Sequence, residues 1–159
     1  MSKLDSVLGS KFQEHKQSIL TRSFMLGEHT FKVRIPTVGE TEAMYDRLKT
    51  IDDDKVAEVY QELTQDLIKF KDSGDDTMVF TDDDVVVEGR SMKDAAKTTV
   101  TARARILEYF KMLVPEEGQS WEGVEYKDIE AGMPWAVQIE MVEKIIECIS
   151  PNYKDIKSK

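Results

Sequence analysis

Apolar residues recur along this chain with two different periods, and the changes of period divide it into elements. Leu4, Leu8, Phe12 and Ile19 share one helical row with His15, so residues 1–21 read as an N-terminal helix with a thin, loosely packed apolar stripe. Phe24 and Leu26, then Phe31, Val33 and Ile35, alternate instead around Gly27-Glu28-His29, the pattern of a β-hairpin with His29 at its tip. Pro36 has no N–H to give to a ladder and closes the second strand. Thr37 and Glu40 then stand at capping-box spacing before Met44, Tyr45 and Leu48, which predicts a short helix. Asp52, Asp53 and Asp54 place negative charge where a longer helical row begins: Val56, Val59, Tyr60, Leu63, Leu67 and Phe70.

The helical pattern lapses from Lys71 to Arg90. Met78 to Phe80 and Val85 to Val87 are two small apolar islands in an acidic stretch, readable as short strands or as a flexible segment that orders on a partner; 71–90 is expected to be flexible. Ser91 and Asp94 then open a long helix through Ala96, Val100, Leu107 and Phe110 to Val114, stopped by Pro115. Both tryptophans lie in the connection that follows, S-W-E-G-V-E-Y-K-D-I-E-A-G-M-P-W from Ser120 to Trp135. Large amphipathic rings around a short Gly-containing connection mark either a packed corner or a groove for a partner. A last helix runs from Pro134, with Trp135, Ile139, Val142, Ile146 and Ile149 at intervals of four and three, until Pro151 leaves a tail over 151–159 expected to fray. Its stripe can be buried by the long helix or by a partner.

The expected fold is therefore α+β, a single mainly helical domain over 1–159, with four to five helices and an N-terminal β-hairpin. Its 159 residues suffice for a hydrophobic core. No apolar run is long enough for a membrane span and M-S-K-L-D-S lacks the core of a secretory signal, so a cytosolic protein is expected. One cysteine, Cys148, excludes an internal disulfide, and the two histidines offer no zinc spacing. No G-x-S-x-G elbow, phosphate loop, H-E-x-x-H or dinucleotide fingerprint occurs, so no enzyme and no cofactor is expected.

Charge is concentrated in one block. Asp52 to Glu88 holds thirteen acids against three lysines, a net −10 in a chain of net −9. Asp82, Asp83 and Asp84 lack the alternating ligands and central glycine of a calcium loop. The block repels nucleic-acid phosphates and suits either a solvated face or steering of a basic protein partner, with Asp75, Asp76, Asp82, Asp83 and Asp84 as the steering residues.

The hairpin F-M-L-G-E-H-T-F-K-V-R-I-P and the later segment L-V-P-E-E-G-Q-S-W-E-G-V-E-Y-K-D-I-E-A-G-M-P-W, each followed by a helix, resemble tail assembly chaperones of long-tailed bacteriophages. The resemblance runs from about Ser23 to Asn152; the leading helix and the acidic Lys71 to Glu88 region depart from it. It implies a chaperone in the host cytoplasm, absent from the mature virion, that binds the tape measure protein and helps recruit tail tube subunits. Trp121, Tyr126, Trp135, Ile139, Val142 and Ile146 are the expected partner-binding residues, and self-association is a further partner class. Trp121→Ala is expected to weaken capture while leaving thermal unfolding nearly unchanged. Two other classes share the size and composition: a structural tail completion or connector protein, and an acidic inhibitor that imitates nucleic acid.

Overall fold

The computed structural model describes residues 2–151. The fold is α+β, with a two-stranded antiparallel hairpin near the N-terminus, a small three-stranded sheet in the middle, and seven helices among the described residues. Helices outnumber the four or five expected for two local reasons. Gly9, at φ 86, breaks the N-terminal helix into α1 (Lys3–Leu8) and α2 (Ser10–Ile19). The connection between the tryptophans contains α6 (Tyr126–Gly132), held at its start by the Asp128 carboxylate, which accepts from the Glu125 N–H at 2.8 Å. The chain divides into two compact units: residues up to Glu42 with those from Ile106 onward, and Ala43–Arg105. Residues 152–159, most of the tail expected to fray, lie outside the described residues.

In the first unit, β1 (Thr21–Leu26) and β2 (His29–Arg34) pair around a two-residue Gly27-Glu28 turn, with the rings of Phe24 and Phe31 stacked at 5.3 Å. The other edge of β2 decides where the long helix ends. α5 (Met92–Phe110) stops short of the expected Val114 because the chain turns extended: Arg34 N–H donates to the Met112 carbonyl and Val114 N–H to the Lys32 carbonyl, both at 2.8 Å. Those bonds satisfy the strand edge and the residues leaving the helix together. α7 (Trp135–Ile149) packs across both strands and buries Met141, Val142, Ile145 and Cys148 in the core that contains Val33. Arg22 closes its C-terminal end, donating through Nη1 to the carbonyls of Cys148 at 2.6 Å and Ser150 at 3.0 Å.

The second unit is built on α4 (Asp53–Thr64) and α5. Val56 and Val59 of α4 meet Ala96 and Val100 of α5, with Tyr60 packed alongside. Asp52, expected only to place negative charge at the helix start, caps α4, accepting from Asp54 and Lys55 N–H. The helix ends at Thr64 rather than at Phe70, and Leu67–Phe70 forms a 3-10 turn that leaves Ile68 and Phe70 exposed. Of the two readings of the small islands, strands are what form: β3 (Met78–Phe80) pairs β4 (Val85–Val87), which pairs β5 (Arg90–Ser91). Val85 is buried, which ties the sheet into the core of this unit. α3 (Val38–Lys49) links the two units in sequence, its start fixed by the expected exchange between Thr37 and Glu40; the Glu40 carboxylate also pairs with Arg34.

Candidate partner-binding site

The connection from Lys111 to Glu125 is held in place by Trp121, whose Nε1 donates to the Leu113 carbonyl at 2.8 Å. Turns closed by Gln119 N–H on the Glu116 carbonyl and Val124 N–H on the Trp121 carbonyl fold the rest of the loop beneath it. α6 then buries Ile129. Together with the hairpin and α7, these elements wall a cleft of about 400 Å³, lined by Phe31, Phe110, Leu113, Trp121, Val124 and Met133 among other apolar residues. Its polar residues are His29, Glu116 and Asp128. A cleft of this size and composition belongs to the range that holds a ligand group, roughly 300–1,000 Å³.

β2 explains one wall. His29, Phe31 and Val33 alternate and so share a face of the strand. They pass from exposed to half-buried to buried along it, and the His29 ring meets Phe31 edge-on at 4.6 Å. His29, to which sequence reading gave no role, therefore belongs to the cleft. Its spacing from Phe31 was the available signal. Met133 and Val124 were also missed, since nothing in a polar connection marks a residue as facing a cavity.

The six expected partner-binding residues are distributed unevenly. Trp121 is half-buried and lines the cleft. Tyr126 is half-buried and its hydroxyl is bound to Gln138, outside the cleft lining. Trp135 stands on the first turn of α7 with 55 % of its surface exposed. Ile139 and Ile146 are half-buried, whereas Val142, at 5 % exposure, is committed to the interior. Trp121 also carries a structural bond, so replacing it removes a loop anchor along with a cleft wall; the expectation of unchanged unfolding for Trp121→Ala does not fit this geometry.

Of the five steering aspartates, two have local structural partners. Asp75 accepts from the N–H and hydroxyl of Thr77, and these bonds hold its carboxyl below the usual range. Asp84 accepts from Val85 N–H at 2.8 Å, Lys93 N–H at 3.0 Å and the Ser91 hydroxyl, joining β4 to the start of α5. Burial pushes the Asp84 carboxyl up, but those hydrogen bonds outweigh it and hold it low. Asp76, Asp82 and Asp83 are exposed.

Among the described residues no three His, Cys, Asp or Glu side chains gather closely enough to hold a metal ion. Cys148 is buried, which raises its thiol above the ordinary range, with Arg22 pulling weakly the other way. No described helix is long and apolar enough to cross a membrane. Comparison with protein-family models, curated proteins and solved structures yields no match to this chain.

Proposed function

We propose that this chain is a non-catalytic binding protein that acts as a tail assembly chaperone of a long-tailed bacteriophage in the host cytoplasm, holding the tape measure protein and helping to recruit tail tube subunits. Support for the phage class comes from the sequence resemblance across Ser23 to Asn152. The observation that carries the binding role is the apolar cleft walled by Trp121, with Trp135 presenting a further aromatic surface to solvent in the same unit. Burying such surface against a partner yields roughly 25 cal/mol per Å², and tryptophan is enriched among residues that dominate interfaces. The chain's net −9 keeps a protein with exposed apolar groups in solution while it waits for its partner.

Co-expression with the tape measure protein of the same phage tests the reading. The expected result is a soluble complex that survives purification, weakened by Trp135→Ala without loss of thermal stability, and absence of the chain from purified virions. A tape measure protein that stays insoluble and uncaptured removes the chaperone role. Stoichiometric abundance in the particle, measured by mass spectrometry, points instead to a structural completion or connector subunit.

A further inference from the structure

The cleft combines an apolar lining with two carboxylates, Glu116 and Asp128, and no lysine or arginine among its lining residues. Between Glu116 and Glu130 the chain carries six acids, Glu116, Glu117, Glu122, Glu125, Asp128 and Glu130, against Lys127 alone. Lys127 is itself paired with Glu125 at 3.0 Å. Two of the acids, Glu116 and Asp128, line the cleft beside Trp121, Val124 and Met133. Inside, Trp121 offers a flat wall and Met133 a flexible one that adapts to different shapes. The volume of about 400 Å³ admits large side chains but not a helix, whose body alone is about 10 Å across.

We infer that this cleft takes a large apolar side chain, of the size of Phe or Leu, from a polypeptide segment that carries Lys or Arg within one helical turn of it. The apolar side chain fills the cavity while its basic neighbours meet Glu116 and Asp128, and a segment bearing acids there is repelled. Selection thus comes from the rim and attachment from the interior. This places the charge recognition beside the hydrophobic anchor, rather than in the 75–84 aspartates of the other unit. The inference deepens the binding role proposed above and rests on it.

A dye-labelled synthetic helical peptide with one Phe and lysines one turn to either side is the probe, read by fluorescence anisotropy against the full chain. Phe→Ala and Lys→Glu versions are its controls. Val114 lines the cleft with 44 % of its surface exposed, and its N–H bond to Lys32 is made by backbone, so Val114→Trp adds bulk to the cleft while leaving that backbone pairing available. Val114→Trp is expected to weaken the probe roughly tenfold or more, as loss of a buried anchor does. Glu116→Lys, on an exposed loop where folding is not at stake, is expected to weaken it about three- to tenfold at low salt, with the difference shrinking at high salt. Equal binding of the lysine and glutamate probes, or a probe indifferent to both Val114→Trp and Glu116→Lys, overturns the inference even if the tape measure protein is still captured. Probe binding that follows these variants while the tape measure protein is not captured overturns the chaperone reading and leaves the cleft assignment standing.

Discussion

The Tyr126 hydroxyl donates to Oε1 of Gln138 at 2.8 Å, and Nε2 of Gln138 donates to the Met133 carbonyl at 2.9 Å. Gln138 is only 2 % exposed, so this amide is the hinge pin between α6, the turn that follows it, and α7. Burial without those partners would be costly, because an amide taken out of water keeps its need for hydrogen bonds. Tyr126→Phe should lower unfolding stability by about 1–3 kcal/mol, and Gln138→Leu by a similar amount. The double variant should lose less than the sum of the two, since removing both partners leaves fewer orphaned groups. Urea titrations of the four proteins measure this; strict additivity would mean the pair is not coupled.

Arg22 holds the opposite end of α7 through the Cys148 and Ser150 carbonyls. The last turn of a helix carries unpaired carbonyls and partial negative charge, and a guanidinium answers both. Arg22→Ala should destabilise the protein by about 1–2 kcal/mol. It should also speed reaction of the buried Cys148 with a thiol reagent, because a frayed last turn exposes the sulfur. An unchanged labelling rate would show that the helix end is held by its apolar packing alone.

Much of this arrangement was legible in the sequence, and the failures have physical causes. The hairpin, the Thr37–Glu40 exchange, the acidic start of α4 and α7 all follow from local patterns that tertiary structure did not override. α5 was expected to run to Val114 because its apolar row continues, but the open edge of β2 offered the backbone better partners than another helical turn. α6 was hidden by its shortness and by a polar sequence whose only signal is the Glu125–Asp128 spacing. The 71–90 segment was readable either as short strands or as a flexible piece because its strands are three residues or fewer. Their stability depends on Asp84 and on the burial of Val85, neither visible in a run of aspartates. Within the candidate site Trp121 was found by residue type and His29 was signalled only by its spacing from Phe31, while Met133 joins the cleft only through the fold.

The β4–β5 turn stores strain that a single substitution can release. Glu88 sits at φ 51 and Gly89 at φ 80, the two positive values that a tight hairpin turn of this hand demands. Glycine meets that demand without cost, but glutamate has a Cβ that crowds its own backbone there. Glu88→Gly or Glu88→Asn should raise stability by about 0.5–1 kcal/mol, while Gly89→Ala should lower it by about 1 kcal/mol. Thermal melts of the three variants give the answer, and a destabilised Glu88→Asn would assign the glutamate side chain a contact worth more than the strain.

Asp5 predicts a pH dependence confined to the N-terminus. Its carboxylate accepts from the Ser2 hydroxyl at 2.8 Å, from the Lys16 ammonium at 3.0 Å and from the Ser2 N–H at 3.1 Å. The Ser2 hydroxyl has the largest effect and Lys16 the next, and together they hold the carboxyl at about 2. These contacts tie α1 to α2, whereas Leu4, Val7 and Leu8 of α1 remain exposed. In the unfolded chain the same group titrates near 3.9. Because the folded value is the lower one, the charged form favours the folded state. Its contribution is complete above about pH 4 and is lost as pH falls toward about 2. The protection of α1 amides against exchange, referred to the intrinsic rate at each pH, should accordingly fall over that window while α7 stays protected. Asp5→Asn should give the low protection at neutral pH and no further loss on acidification; high, pH-independent protection in that variant would mean that the helix is held by something other than the Ser2–Asp5–Lys16 contacts.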